Sequence, residues 1–266
     1  MPSGAQEPAR DAVAIIPARM ASTRFSGKAL ADQTGTPMVV HVCEQAAKAR
    51  RVDRVVVATD ASEIAEAVRT HGFEAVITGQ HDNGTSRITE AARALDLDPA
   101  TTVINVQGDE PEIEPEIIDA AADALRHNAL GFPVSVGTVV SPFEPAGDPS
   151  DPNLVKAAMD AIDPDTGIGH AVYFSRAPIP YARDTGEPVT RYRHVGIYAY
   201  AAGTLAKLAP RRSSALERAE KLEQLAWLAA GHRIAAAVRR TAHHGIDTPE
   251  QYAAFVERRR GSQASG

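Results

Sequence analysis

The chain has 266 residues, 44% of them hydrophobic and 23% charged, and a net charge of −6. That is enough for one large α/β domain or a domain plus a subdomain, and the negative charge argues against a general nucleic-acid-binding surface. No stretch approaches the roughly 20 apolar residues of a membrane span, and a single cysteine, Cys43, excludes an internal disulfide framework, so a cytoplasmic setting is expected.

The opening MPSGAQEPARDA lacks the apolar core of a signal peptide and reads as a disordered extension over 1–11. AVAII (12–16) is a continuous apolar run, as in a strand buried on both faces. It leads into IIPARMASTRFSGKAL (15–30), which fails the Walker A pattern because Ala29 follows Gly27-Lys28 and Ser22 stands where the first glycine belongs. The G-x-G-x-x-G dinucleotide fingerprint is also absent, which argues against a nicotinamide-dependent oxidoreductase. The loop still has the chemistry of a phosphate cradle. Arg19, Arg24 and Lys28 supply fixed charge, Ser22 and Thr23 supply hydroxyls, and backbone N–H groups complete the nest.

Thr36 and Pro37 predict the N-cap and first position of a helix reaching about Arg50, with Cys43 as a buried, inert thiol on its apolar face. RVVVA (54–58) is a second strand, and Asp60 with Glu63 forms a capping-box pattern for the next helix. EAVIT (74–78) is a third strand, followed by the helix SRITEAARALD. Asn83-Gly84-Thr85 has the form of a glycosylation sequon, a false positive without a secretion signal. Arg87, on the first turn of that helix, is placed to face a nucleotide. TVINV (102–106) is a fourth strand ending in QGDEP. Asp109, after the turn-permitting Gly108, is a candidate ligand for Mg²⁺, which favours one or two carboxylates beside phosphate oxygens. Glu112, Glu114 and Glu116 instead suit the N-terminus of the helix opened by Pro115. The β-α alternation predicts an α/β fold, a Rossmann-like, doubly wound and mostly parallel sheet, with ligands beyond the C-terminal strand ends.

The second half is less regular. PVSVGTVV (133–140), VKAAM (155–159), AVYFS (171–175), YRHVGIYAY (192–200) and RIAAAV read as strands. Ser214 with Glu217 caps a helix expected to run to about Ala230, and Thr248-Pro249-Glu250-Gln251 starts a final helix just after Asp247. Strand alternation puts His194, Gly196 and Tyr198 on one face, and helical spacing makes Glu220, Glu223 and Gln224 neighbours. His243-His244 has no partner spacing for zinc. These elements read as a single domain over 12–257, with a small β-rich insertion within 133–200 and a tail over 258–266.

Seven motifs occur in order: P-A-R-x-x-S-T-R-x-x-x-K, G-T-x-R, N-V-Q-G-D-E-P, Y-F-S-R-A-x-I-P, R-H-x-G-I-Y, L-E-Q-L and G-x-D-T-P-E. Each alone is unspecific; together they make the chain resemble the CMP-Kdo synthetases, or 3-deoxy-manno-octulosonate cytidylyltransferases, over roughly 12–257. The resemblance implies a nucleotidyltransferase sheet, usually with a dimerising subdomain, and Mg²⁺-dependent transfer of CMP from CTP to a sugar acid with release of pyrophosphate. Carried over, it implies that Arg19, Arg24 and Lys28 hold the CTP phosphates, while the Ala18 backbone, Arg87 and Gln107 read cytosine. It implies that Asp109 and Asp247 hold Mg²⁺, and that Arg176, His194, Tyr198, Glu223 and Gln224 line the acceptor site, with Arg176 meeting a carboxylate. Lys28, Arg24 and Asp109 are the implied catalytic set, and a homodimer is the implied assembly. The chain departs from the family pattern at Phe25-Ser26, Ala29 and Ser86. Those departures leave open a second acceptor class, small phosphonates such as phosphonoformate.

Overall fold

β1 (Ala12–Ala18) is the axis of the first half, and Ala12, Ala14, Ile15 and Ile16 are fully buried. The computed structural model describes residues 11–21, 24–143, 147–184, 189–209 and 213–264. Its internal contacts divide the chain into two units, Met1–Asp119 with His243–Gly266, and Ala120–Ala242.

In the first unit β1 pairs in parallel with β2 (Val52–Thr59) on one side and β4 (Thr102–Asn105) on the other. β3 (Glu74–Ile77) extends the parallel sheet beyond β2. Helices α1 (Met38–Lys48), α2 (Ser62–Thr70), α3 (Gly84–Ala94) and α4 (Pro115–Arg126) follow the strands in turn, as the alternation predicts. α1 buries Met38, Val39, Val40, Val42 and Cys43 on its apolar face, and burial pushes the Cys43 thiol pKa well up, as befits an inert thiol. α1 starts one residue later than predicted, with Pro37 at the N-cap. At α3 the sequon asparagine is the cap: Asn83 Oδ1 accepts from Ser86 N at 2.8 Å.

Two local predictions fail for tertiary reasons. Asp60 does not cap α2; Ala61 holds the N-cap, and the Asp60 carboxylate lies 3.1 Å from the guanidinium of Arg87. A buried guanidinium needs a charged partner more than a partly solvated helix end does. The helix expected to reach Ala230 breaks instead at Lys221, whose φ of 55° is left-handed. It becomes α6 (Ala215–Glu220), opened by the predicted Ser214–Glu217 capping box, and α7 (Gln224–Ala229). Glu220 is drawn to strand-end groups, accepting from Ser175 Oγ at 2.7 Å and Arg176 N at 2.6 Å. Glu220, Glu223 and Gln224 therefore share no helix face.

The second unit holds β5 (Val136–Pro142), β6 (Lys156–Asp160), β7 (Ile168–Ser175), β8 (Tyr192–Ala201) and β9 (Ile234–Val238). Its strand order is β8-β5-β9-β7-β6, and β6 pairs back onto β8, so the ring closes on itself. Closure removes the exposed edges that invite unwanted pairing. β5 and β9 are parallel and the other pairs antiparallel. Gly137 has no room for a side chain: a Cβ there would fall 2.3 Å from Ala121 O on α4. A short helix absent from the sequence reading, α5 (Ala202–Leu208), follows β8. The last helix, α8 (Pro249–Ala264), returns to the first unit and continues through residues read as tail.

Candidate active site

A cavity of about 520 Å³ opens beyond the C-terminal ends of β1 and β4, lined in part by Ala18, Arg19, Arg24, Lys28, Arg87, Gln107, Asp109 and Asp247. Three chain segments meet here. The first is the loop after β1, where Gly27, at φ 69°, turns the chain into the single 3-10 turn Lys28–Leu30 and its N–H bonds back to Met20 O. The second is the loop after β4, where Gly108 approaches β1 so closely that a Cβ would lie 2.7 Å from Pro17 O. The third is the segment before α8, tied to the second by Ile246 N donating to Asp109 O at 2.8 Å. Thr248 and Gln251 cap α8 and hold Asp247 in place, with Asp247 N donating to Gln251 Oε1 at 2.7 Å.

Lys28 is where the three segments converge. Its Nζ donates to Asp109 Oδ2 at 2.7 Å, Asp247 Oδ1 at 3.0 Å and Ile246 O at 3.0 Å. Arg24 donates to the other oxygen of Asp247 at 2.7 Å. Arg24 is largely exposed and Lys28 largely covered, with side-chain exposures of 66% and 15%. The ammonium thus stands between two carboxylates at a position suited to a cation. Among the described residues no group of three or more His, Cys, Asp or Glu side chains could hold a metal. Two carboxylates beside basic side chains nevertheless fit a hard divalent ion that takes its remaining ligands from phosphate and water.

The other predicted nucleotide residues gather at the same cavity. Arg87 is buried, donating from Nη1 to Thr78 Oγ1 at 2.8 Å, with Nη2 facing Asp60. Gln107 turns its amide nitrogen toward Asn105 Oδ1 at 3.4 Å. Ser22 and Thr23 lie outside the described residues. Sequence reasoning missed His81, which lines the cavity with its ring bonded to Glu90. That bond, with the Gly79 N–H, holds the Glu90 carboxyl pKa below the usual range. Beneath the acidic loop, His243 is buried between Glu114 at 2.6 Å and Glu110 at 3.5 Å.

The predicted acceptor residues all belong to the second unit. His194 is enclosed by Phe174, Tyr198 and Thr138, with Thr138 Oγ1 3.0 Å from its Nε2. Burial, aided by Arg193, pushes the His194 pKa down to about 3, so the ring is neutral at physiological pH. Tyr198 packs edge-on against Trp227 of α7, and burial, then Tyr200 and Glu223, hold its phenol pKa well above the usual value. Gln224 is buried at the start of α7, with Glu223 at its N-cap. Arg176 is anchored by its backbone neighbours: Nε donates to Glu220 O at 2.7 Å and Nη1 to Pro152 O at 2.8 Å.

A parallel sheet with cations and paired carboxylates at its strand ends is an architecture suited to nucleotidyl transfer. The family model described as cytidylyltransferase matches residues 13–234. A 3-deoxy-manno-octulosonate cytidylyltransferase of Neisseria meningitidis is 46% identical over 248 residues, 90% of this chain and 94% of the relative. One from Wolinella succinogenes is 44% identical over 89% of this chain and 94% of its own length. A solved structure of CMP:2-keto-3-deoxy-manno-octonic acid synthetase complexed with CTP matches with a TM-score of 0.82 and 35% identity, covering 96% of this chain and 99% of that one. A 4-diphosphocytidyl-2C-methyl-D-erythritol synthase from Anaerococcus prevotii, 14% identical with a TM-score of 0.57, shares the fold. The chain belongs to the family of 3-deoxy-manno-octulosonate cytidylyltransferases.

Proposed function

We propose that the protein transfers CMP from CTP to a 3-deoxy-manno-octulosonate, with Mg²⁺ and with release of pyrophosphate. The observation that carries this is the charge pattern of the strand-end cavity: Arg19, Arg24 and Lys28 stand with Asp109 and Asp247 at one locus. The names of the relatives support the choice of nucleotide and acceptor. No comparison favours the phosphonate alternative.

In this reading Arg19, Arg24 and Lys28 hold the triphosphate, and Arg87, Gln107 and the Ala18 backbone receive the cytosine. Mg²⁺ held by Asp109 and Asp247 would neutralise charge on the α-phosphate and make the acceptor hydroxyl easier to deprotonate. The anomeric hydroxyl of the acceptor gives its proton up to solvent and attacks the α-phosphorus, the bond from that phosphorus to the oxygen bridging to the β-phosphate breaks, and pyrophosphate leaves. Lys28 and Arg24 exchange their carboxylate partners for phosphate oxygens and stabilise that leaving group. Arg176 uses the N–H groups not committed to Glu220 and Pro152 to meet the acceptor carboxylate. Neutral His194, with Tyr198, Glu223 and Gln224, orients the sugar hydroxyls; no histidine base is needed. Positioning and electrostatics carry most of the acceleration. A homodimer in the cytoplasm completes the proposal, and among the described residues no helix is long and apolar enough to cross a membrane.

The test is a pyrophosphate-release assay with CTP across Kdo, 8-amino-Kdo, sialic acid and phosphonoformate, with and without Mg²⁺. Release confined to a Kdo-type acceptor with Mg²⁺ supports the reading. Release with phosphonoformate alone overturns the acceptor.

A further inference from the structure

Asp60 has an unassigned carboxylate, since α2 begins without it. It follows Thr59, the last residue of β2, just as Thr78 follows Ile77, the last residue of β3. Thr78 N donates to Thr59 O at 2.8 Å, so the two strand ends are fastened together. From this platform Asp60 Oδ2 reaches Arg87 Nη2 at 3.1 Å and Thr78 Oγ1 accepts from Nη1 at 2.8 Å.

A guanidinium is a planar fork of five donors with no acceptor. Gripping both terminal nitrogens at once fixes the plane of the fork. The Arg87 side chain is 4% exposed and lines the cavity, so it cannot swing to follow a ligand. Arg24, at 66% exposure, can. The fixed fork therefore offers the cavity an inflexible set of donors. Cytosine presents two adjacent acceptors, N3 and O2. Uracil presents an N–H at position 3, which would set donor against donor. A fork free to rotate could relieve that clash; a pinned one cannot.

We propose that Asp60 is a positioning residue for base selection: by holding Arg87 in one plane together with Thr78, it makes the cavity choose cytosine over uracil. This rests on the reading of the cavity as a CTP site. Asp60 is not among the residues that line the cavity; it acts through Arg87.

The experiment compares CTP and UTP dissociation constants by calorimetry for the wild type, Asp60→Asn and Thr78→Val, with circular dichroism and melting curves as the check on folding. Asp60→Asn is expected to narrow the preference for CTP over UTP by about tenfold, the size of one well-placed hydrogen bond. Thr78→Val should shift the ratio in the same direction by less. A residue that merely supports the fold would lower the melting temperature and leave the ratio alone. An unchanged ratio in folded Asp60→Asn overturns the inference; if that variant does not fold, an unchanged ratio in Thr78→Val does so. A wild-type protein that shows no preference for CTP overturns the nucleotide reading itself, and this inference with it.

Discussion

Lys28 Nζ lies 2.7 Å from Asp109 Oδ2 and 3.0 Å from Asp247 Oδ1, so one ammonium bridges the two acids proposed to hold the metal. Two cations cannot share that locus without a third negative group, and the arriving triphosphate is that group. Lys28 should therefore leave the carboxylates when the nucleotide brings its phosphates. The expected outcome is weak Mn²⁺ binding by the nucleotide-free protein and much tighter binding once CTP is present, read by electron paramagnetic resonance of free Mn²⁺. Lys28→Met should raise Mn²⁺ affinity without nucleotide by about tenfold or more. Equal affinity in the wild type and Lys28→Met would show that the ammonium does not hold the metal position.

Asp109 is placed by backbone on both sides. Gly108 presses against Pro17 O, and Ile246 N donates to Asp109 O. Removing the side chain leaves those constraints in place, so Asp109→Ala should fold. Turnover should fall by roughly 10²–10³-fold or more, the scale seen when one fixed electrostatic group is lost from a transition state. Pyrophosphate release at saturating CTP measures it, and a variant within threefold of wild type would remove Asp109 from the catalytic set.

The first unit was largely legible because β1 and β4 are buried on both faces and write themselves as apolar runs, while Gly27 and Gly108 mark the loops that turn back. Arg87, Gln107, Asp109 and Asp247 line one cavity. What spacing could not show is partnership across the chain. Lys28 meets Asp247 over 219 residues, and no local pattern encodes that pair. Asp60 looked like a cap because Glu63 follows at the right interval; a distant guanidinium decided its use. The break at Lys221 was equally invisible, since the preceding Glu220 is bonded to Ser175, the last residue of β7, and to Arg176 just after it. His81 had one available signal, its place on a short polar loop before the cap of α3.

Lys156 is a buried ammonium on β6 that donates to three carbonyls: Asp151 at 2.8 Å, Leu154 at 2.6 Å and Arg176. Its pKa is lowered by burial, against partial support from Asp151. Because it holds the 151–154 loop to the Arg176 backbone, and Arg176 in turn donates to Pro152 O, the two cations stabilise one another's settings. Lys156→Met should cost roughly 2–4 kcal/mol, less than the sum of three bonds at about 1.5–3 kcal/mol each, because the loop can relax and return part of its carbonyls to water. Denaturant unfolding checks the stability. The Michaelis constant for the acceptor should rise while that for CTP holds, because Arg176 alone loses its support. Equal rises for both substrates would argue against a local effect.

The pH dependence of stability should carry the signature of His194. In the folded chain its pKa is pushed down to about 3 by burial, with Arg193 adding to the shift, whereas an unfolded histidine protonates near 6.5. Between those values the unfolded state binds one proton more than the folded state, so stability rises with pH through this window and is lost as pH falls from 6.5 toward 3. The slope from one such group is about 1.4 kcal/mol per pH unit. Carboxylates titrate in the lower part of the window, so the informative quantity is the difference between wild type and His194→Asn over roughly pH 6.5–5. The wild type should lose stability faster than the variant on acidification, by close to that slope. Unfolding curves at several pH values measure it, and the rate profile for acceptor use over the same range should show no inflection from this ring. A difference that stays flat with pH would mean that folded His194 takes up a proton, and would end its assignment as a neutral hydrogen-bonding group.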